Sequence, residues 1–157
     1  MDFEKFFLAE FDHHKTVLAA TRKSLGEPFA QLADRCSQAL RNGGKILFFG
    51  NGGSASDAQH LATELTVRYR HPRRALPAMA LATDGSALTA IGNDMGFEHV
   101  FARQIEALGR PGDFALGITT SGRSPNVTRG LMQARDLGMT AAALCGRDGG
   151  ELRGVAD

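Results

Sequence analysis

The sequence predicts an α/β fold in which a parallel β-sheet is covered by helices on both faces. Short runs of apolar, strand-forming residues alternate with longer helical patterns from residue 45 onward. Glycine accounts for 19 of the 157 residues, about 12% where about 7% is usual, and many glycines follow the apolar runs. Two further helical patterns precede the first strand, at roughly residues 2–41. Together these observations indicate strand–loop–helix units behind an N-terminal helical segment.

The two N-terminal helices are predicted from apolar residues at helical spacing. In the first helix these are Phe3, Phe7, Phe11, Val17 and Leu18. In the second helix they are Phe29, Leu32, Ala33, Cys36 and Leu40. Pro28 suits the first turn of the second helix, and the pair Gly43-Gly44 suits its end.

The rest of the chain is predicted to alternate between strands and helices. The predicted strands are residues 45–49, 78–82, 114–119 and 140–145. The predicted helices are residues 55–69, 86–92, 97–108 and 126–137. Strands joined through helices form right-handed crossovers, which makes the sheet parallel. With neither a linker nor an internal repeat between these elements, residues 1–157 are predicted to form a single domain.

Charge and cysteine content indicate a cytoplasmic protein and do not indicate nucleic-acid binding. The net charge is +1, from 18 basic and 17 acidic residues, so nothing favours nucleic acid as a partner. Four arginines form a local cluster, interpreted as a solvated edge: Arg68, Arg70, Arg73 and Arg74. Cys36 and Cys145 lack the spacing of a disulfide framework or a zinc knuckle and are expected to be reduced thiols. The N-terminus does not resemble a signal peptide, and no apolar run reaches the roughly 20 residues that span a membrane.

The segment Gly50-Asn51-Gly52-Gly53-Ser54, here called the glycine turn, is the most informative motif. It joins an apolar strand to a helical pattern and can present backbone N–H groups to an anion. On the next helix, His60 and Glu64 are four residues apart and therefore share a face. This spacing suits a metal-binding or catalytic pair beside the turn. It equally suits a surface hydrogen bond, because zinc normally takes three or four ligands.

A second motif, Thr119–Asn126, is here called the hydroxyl loop. Thr119, Thr120 and Ser121 follow the third predicted strand in succession. Ser124 then suits the N-cap of the next helix, and Pro125 suits its first position. Hydroxyls and N–H groups at a helix N-terminus suit a phosphate, which is the favoured interpretation. The alternative is a polar loop in front of a well-capped helix.

Three loops are expected to converge on one edge of the sheet, because ligands of parallel sheets bind at the carboxyl ends of the strands. They are the glycine turn, residues 83–86 and the hydroxyl loop. Gly92-Asn93-Asp94 is predicted to be a helix-ending turn nearby, from which Asp94 could orient a substrate hydroxyl.

The glycine turn also satisfies the dinucleotide fingerprint G-x-G-x-x-A, which leaves a nucleotide cofactor as a minor alternative. Asp84 would then be the ribose-binding acid. It lies 34 residues after Gly50, whereas the usual spacing is about 20 residues.

Taken together, these motifs resemble the sugar isomerase (SIS) domain family, and within it the phosphoheptose isomerases. The resemblance runs in order over essentially the whole chain. It is carried by the glycine turn, Asp57-Ala58-Gln59-His60 with Glu64, Arg68-Tyr69-Arg70, Leu76-Pro77-Ala78, Ala90-Ile91-Gly92-Asn93-Asp94, Gly96-Phe97, Phe101-Ala102-Arg103-Gln104, Thr120-Ser121-Gly122, Ser124-Pro125-Asn126-Val127 and Gly146-Arg147-Asp148-Gly149-Gly150.

The resemblance implies a three-layer α/β/α sandwich and a homotetramer with sites at subunit contacts. It implies a zinc ion held partly by the residues matching His60 and Glu64. It implies that phosphate is bound by residues matching Thr119, Thr120, Ser121 and Ser124. The sugar would be bound by residues matching Asn51, Gly52, Gly53, Ser54, Arg68 and Asp94.

The activity implied is that of an aldose–ketose isomerase, which converts sedoheptulose 7-phosphate to D-glycero-D-manno-heptose 7-phosphate through an enediol. Glu64 is the candidate base that moves a proton between the two carbons. The alternative is a non-catalytic relative that binds a phosphosugar or associates with a replication initiator. Such a relative lacks the carboxylate matching Glu64, so the presence of Glu64 favours the enzyme.

The sequence departs from the family in two places. Arg123 stands where an asparagine is usual, and it could add positive charge beside a phosphate or face water. The family also continues past the position of Asp157 with a last strand and a long helix, whose glutamine and histidine complete the zinc site. The chain as given is therefore expected to hold zinc poorly and to have little activity.

Overall fold

A computed structural model describes residues 2–156 of the chain, which divides into two compact units, Met1–Asp34 and Arg35–Asp157. Met1 and Asp157, the outermost residues of the predicted domain, lie outside the described residues.

The first unit contains helix α1, Phe3–Ser24, and the start of helix α2, Gly26–Arg41. Both predicted N-terminal helices are thus confirmed. The side chain of Asp2 caps α1 by accepting a hydrogen bond from the backbone N–H of Lys5 at 3.1 Å. None of the residues of α1 is buried in this chain. Its apolar side chains, including the aromatic pair Phe7 and Phe11 with ring centroids 4.6 Å apart, are exposed.

The second unit follows the predicted alternation. Its elements are β1 Ile46–Gly50, α3 Gly53–Thr66, β2 Ala78–Ala80, α4 Gly85–Asp94, a short 3₁₀ helix Phe97–His99, α5 Ala102–Leu108, β3 Phe114–Thr119, α6 Pro125–Asp136, β4 Thr140–Cys145 and a second 3₁₀ helix Gly150–Gly154. All four predicted strands are confirmed within two residues at each end.

Helix ends differ more from the predictions than strands do. The predicted helix 97–108 is divided, because the backbone N–H of Val100 bonds to the carbonyl of Phe97 and closes a 3₁₀ turn before α5 begins. The predicted turn at Gly92-Asn93-Asp94 belongs to α4, whose ladder continues as far as the bond from Met95 N–H to the Ile91 carbonyl. Helix α3 ends at Thr66 and not at 69. The second 3₁₀ helix was not predicted.

The four strands form one parallel sheet in the order β2-β1-β3-β4, as the alternating pattern predicts. In the register of the sheet, Phe48 on β1 pairs with Ala80 on β2 and with Leu116 on β3. Every residue of β1 and of β3 is buried, which is typical of strands covered on both faces. The core packs around the rings of Phe49 and Phe101, whose centroids are 5.3 Å apart.

Asp113 fixes the amino ends of β1 and β3. Its side chain, 3% exposed, accepts hydrogen bonds from the backbone N–H groups of Lys45 and Arg110, each at 2.9 Å, and pairs with the Lys45 ammonium. Charged hydrogen bonds of this kind are among the stronger ones in proteins. They tie the two central strands together at the end of the sheet opposite to the predicted site. Within residues 2–156, no helix has the length and apolar character needed to cross a membrane.

Candidate active site

The carboxyl ends of β2, β1 and β3 lie at one edge of the sheet, since these three strands are neighbours and parallel. The glycine turn follows β1 and the hydroxyl loop follows β3, so the two motifs are adjacent. A pair of side-chain hydrogen bonds between Asn51 and Asn126 joins them directly. The predicted convergence is therefore confirmed for the glycine turn and the hydroxyl loop.

In the glycine turn the chain changes direction between β1 and α3, and backbone groups form the first hydrogen bonds of α3. Gly52 is the N-cap of α3 with φ 55° and ψ −121°, a positive φ that favours glycine. No side chain caps the helix at this position. The N–H groups of Ser54 and Ala55 bond to the carbonyls of Asn51 and Gly52, each at 3.0 Å. A helix N-terminus without a side-chain cap attracts an anion through its dipole and its N–H groups.

The hydroxyl loop brings two side-chain oxygens together at the start of α6. Ser124 occupies the N-cap and Pro125 the first helical position, as predicted. The hydroxyl of Ser124 does not cap the helix; it shares a 3.2 Å hydrogen bond with the hydroxyl of Thr119, which is 5% exposed. Ser121 accepts a 3.2 Å hydrogen bond from the backbone N–H of Arg123. Thr120 is exposed.

The loop after β4 packs against the hydroxyl loop backbone to backbone. A Cβ at Gly122 would lie 2.2 Å from the carbonyl oxygen of Gly149, so only glycine fits this contact. The N–H of Glu151 bonds to the Gly122 carbonyl at 3.0 Å.

A hydrogen bond from the backbone N–H of Gly150 lowers the pKa of Asp148, and the nearby guanidinium of Arg123 lowers this pKa further. The Arg123 side chain is itself exposed, so it faces water beside Asp148.

His60 and Glu64 lie on one face of α3, as their spacing predicts. The His60 Nε2 and Glu64 Oε1 atoms are 3.2 Å apart, and the side chains are 74% and 31% exposed. A ring nitrogen and a carboxylate oxygen are donor types that zinc accepts, but zinc takes three or four ligands. No group of three or more His, Cys, Asp or Glu side chains in residues 2–156 is placed to hold a metal ion. The described residues therefore supply two side chains that can ligate zinc, which is fewer than a complete zinc site needs.

The segment after α3 is basic, and one of its arginines closes the helix that carries Glu64. The Arg73 guanidinium donates to the carbonyls of Glu64 at 2.6 Å and Leu65 at 2.8 Å. Arg68, predicted in the sugar site, is exposed two residues beyond the end of α3. A cation on the last carbonyls of a helix is favourable because it opposes the helix dipole.

Two aspartates singled out in the sequence have contacts within their own helix. The side chain of Asp84 caps α4 by accepting hydrogen bonds from the N–H groups of Ser86 and Ala87. Capping of α4 explains why a carboxylate stands at this position. A ribose-binding role, as in the nucleotide alternative, is not needed to explain it. Asp94, in the last turn of α4, is exposed and accepts a 2.8 Å hydrogen bond from the Asn93 side chain.

Both cysteines are free thiols, in agreement with the prediction that they form no disulfide. Burial raises the pKa of the Cys36 thiol to about 11. This thiol is therefore protonated at neutral pH, the form that is a weak nucleophile.

Comparison with known proteins identifies the family. The sequence profile of the SIS domain matches residues 11–146. The phosphoheptose isomerase of Paramagnetospirillum magneticum is 57% identical over 100% of this chain, which spans 82% of that relative. The phosphoheptose isomerase of Helicobacter pylori strain P12 is 53% identical over 94% of this chain and 77% of its own length.

The chain belongs to the phosphoheptose isomerases of the SIS domain family.

Solved structures of phosphoheptose isomerases have the same fold. The structure from Neisseria gonorrhoeae superposes with a TM-score of 0.92 at 46% identity, covering 99% of this chain and 81% of that one. The structure from Francisella tularensis gives a TM-score of 0.96 at 38% identity, covering 100% of this chain and 82% of that one. The predicted α/β fold with its parallel sheet is thus that of the phosphoheptose isomerases.

The sequence motifs do not indicate the structural roles of three polar residues. Asn126 bridges to the glycine turn and Arg73 closes α3, whereas Asp113 lies at the opposite end of the sheet from the site. The sequence motif Ser124-Pro125-Asn126-Val127 contains Asn126 but indicates no role for it. Its partner is 75 residues away, at Asn51, and helical or strand spacing carries no information about such a pair.

Proposed function

We propose that this protein is an aldose–ketose isomerase that converts sedoheptulose 7-phosphate to D-glycero-D-manno-heptose 7-phosphate. The observation that carries the proposal is the contact between Asn51 and Asn126, which brings the starts of α3 and α6 together. One of these helices carries Glu64 and the other begins at the hydroxyl loop. The proposed phosphate loop and the helix that carries the proposed base are therefore neighbours in the fold.

The hydroxyl loop is proposed to bind the phosphate. Thr119, Thr120, Ser121 and Ser124 supply hydroxyls, and the N-terminus of α6 supplies N–H groups and the positive end of its dipole. A phosphate held away from the reacting carbons contributes binding energy that aligns the sugar for reaction. The glycine turn with Ser54, together with Arg68 and Asp94, is proposed to line the sugar site.

Glu64 is proposed to be the base. It takes a proton from C1 of the ketose, the C–H electron pair forms the C1–C2 double bond, and the C2 oxygen gains a proton to give the enediol. Loss of the O1 proton then forms the C1 carbonyl, and the proton that Glu64 holds is returned to C2 to give the aldose. The His60 ring, 3.2 Å from the Glu64 carboxylate, orients that carboxylate on the face of α3. Since Arg73 donates to the Glu64 carbonyl, the last turn of α3 is held closed under the base.

Zinc is proposed as the cofactor, held partly by His60 and Glu64, with the remaining ligands supplied from outside the described residues. When bound, it polarises the substrate oxygens and stabilises negative charge on the enediol. The support is the chemistry of the two donors and their position on one helix face.

A cytoplasmic homotetramer is the proposed form of the protein. Helix α1 exposes large apolar side chains, among them Phe3, Phe6, Phe7, Leu8 and Phe11. A contiguous apolar surface of this kind usually marks an interface between proteins. Burial of this face against other copies of the chain would remove these rings from water.

Calorimetry with matched sugars tests the proposed substrate. Sedoheptulose 7-phosphate is expected to bind at least about a hundredfold more tightly than unphosphorylated sedoheptulose, because several charge-assisted hydrogen bonds each contribute about 1.5–3 kcal/mol. Fructose 6-phosphate, which carries its phosphate one carbon nearer to the reacting end, serves as the control for sugar length. Equal affinities for the phosphorylated and unphosphorylated heptuloses would refute the phosphate assignment.

A further inference from the structure

We infer that Asn126 is a positioning residue that clasps Asn51 and holds the glycine turn at a fixed distance from the hydroxyl loop. The inference deepens the proposed function and rests on it. It concerns how the two halves of the site are held together, and it assigns Asn126 no contact with the substrate.

The clasp is a reciprocal pair of amide hydrogen bonds. Asn51 Nδ2 donates to Asn126 Oδ1 at 2.9 Å, and Asn126 Nδ2 donates to Asn51 Oδ1 at 2.8 Å. Asn126 Oδ1 also accepts from the backbone N–H of Val127 at 3.0 Å. The Asn126 side chain is thus bonded to its own helix and to the opposite loop at once.

The clasp lies where it restrains both the glycine turn and the hydroxyl loop. Asn51 is the first residue after β1 and immediately precedes Gly52, the N-cap of α3. Asn126 is the second residue of α6, two residues after the Ser124 N-cap. The clasp therefore ties together the helix starts on which both proposed anion-binding loops depend.

Only a side-chain amide satisfies this arrangement. Each partner donates one hydrogen bond and accepts another through the same planar group, a combination that carboxylates and hydroxyls of this reach do not provide. Asn126 is 3% exposed, so loss of its partner leaves buried polar atoms without bonds, which is costly. A glycine-rich turn has little else to fix its position, since it lacks side chains to pack.

A double-mutant cycle tests the clasp. Affinity for sedoheptulose 7-phosphate is measured by calorimetry for the unmodified protein, Asn51→Ala, Asn126→Ala and the double variant. Each single variant is expected to bind about tenfold more weakly, and the double variant about as weakly as the weaker single one, because both remove the same pair. Independent, multiplying losses would overturn the inference.

Hydrogen exchange of backbone amides supplies a readout that needs no ligand. Asn51→Ala is used here because it keeps the buried Asn126 side chain and creates no cavity at that position. In it, residues 52–55 and 121–124 are both expected to exchange about tenfold faster. Unchanged exchange in residues 121–124, on the side opposite to the substitution, would overturn the clasp whatever the sugar data show.

The matched control is Asp113→Asn, which weakens a buried hydrogen-bonded group at the other end of the same sheet. It is expected to lower thermal stability while leaving affinity and exchange in residues 52–55 unchanged. An equal loss of affinity in Asp113→Asn would show that general destabilisation explains the weaker binding of the Asn51 and Asn126 variants. That result would contradict the clasp. If the unmodified protein does not discriminate sedoheptulose 7-phosphate from sedoheptulose, the proposed function fails, while the exchange data still decide the clasp.

Discussion

At the scale of single residues, the polar side chains at this edge of the sheet divide into those that hold the loops and those available to a substrate. Asn51 and Asn126 bond to each other, and Asp84 bonds to its own helix. The Ser124 hydroxyl bonds to Thr119 although its position would allow it to cap α6. These two hydroxyls lie side by side at a helix start, where the proposed phosphate site would use them.

Replacement of Ser121 by alanine tests the phosphate site at this scale. Ser121→Ala is expected to weaken binding of sedoheptulose 7-phosphate by about 1.5–3 kcal/mol, because one charge-assisted hydrogen bond is lost. Calorimetry measures the change, with unphosphorylated sedoheptulose showing none. Ser24→Ala, which removes a hydroxyl bonded to the Ala20 carbonyl in α1, is the matched control. An unchanged affinity in Ser121→Ala would exclude this hydroxyl from the phosphate site.

At the scale of elements, the sequence identified strands better than helix ends, and the reason is physical. The runs at β1 and β3 are buried throughout, so every residue contributes to an apolar signal. Helix ends depend on single hydrogen bonds, such as the one from Val100 to Phe97 that divides the predicted helix 97–108. The Asn51–Asn126 contact depends on the packing of β1 beside β3, which local spacing does not encode.

The hydrogen bonds from Arg73 to the C-terminal end of α3 are expected to stabilise the protein. Arg73→Ala is expected to lower the free energy of unfolding by about 1 kcal/mol, because a guanidinium that bonds the last carbonyls is lost. Its neighbour Arg74→Ala removes the same charge without these side-chain bonds and is expected to have a smaller effect. Urea unfolding of both variants measures the difference. Equal destabilisation by the two substitutions would show that charge alone matters.

At the scale of the whole molecule, the described residues place both motifs at one edge of a parallel sheet and leave two donors for a metal. His60 and Glu64 make up the pair, and residues 2–156 contain no cluster of three or more such ligands. The family match over residues 11–146 covers the sheet and both motifs. Both the remaining zinc ligands and the subunit contacts depend on which further residues lie against the face of α3 that carries His60 and Glu64.

Metal analysis addresses that question. After dialysis, the 157-residue chain is expected to retain much less than one zinc per subunit, because two ligands do not make a stable zinc site. His60→Ala is the control for specific binding and should remove what zinc remains. One tightly held zinc per subunit would show instead that other residues, such as those of a neighbouring subunit, complete the site.

The most direct test of the central claim is isomerisation of sedoheptulose 7-phosphate in deuterated water by a version of the protein extended to the length of its relatives. Zinc is supplied, and the reaction is followed by NMR. The account predicts D-glycero-D-manno-heptose 7-phosphate with deuterium at C2, because the proton passes through a base that exchanges with solvent. Glu64→Gln should abolish conversion, whereas Glu106→Gln, which alters an exposed helical glutamate paired with Arg103, should not. Tight binding of the sugar phosphate without conversion, or undiminished conversion in Glu64→Gln, would contradict the account.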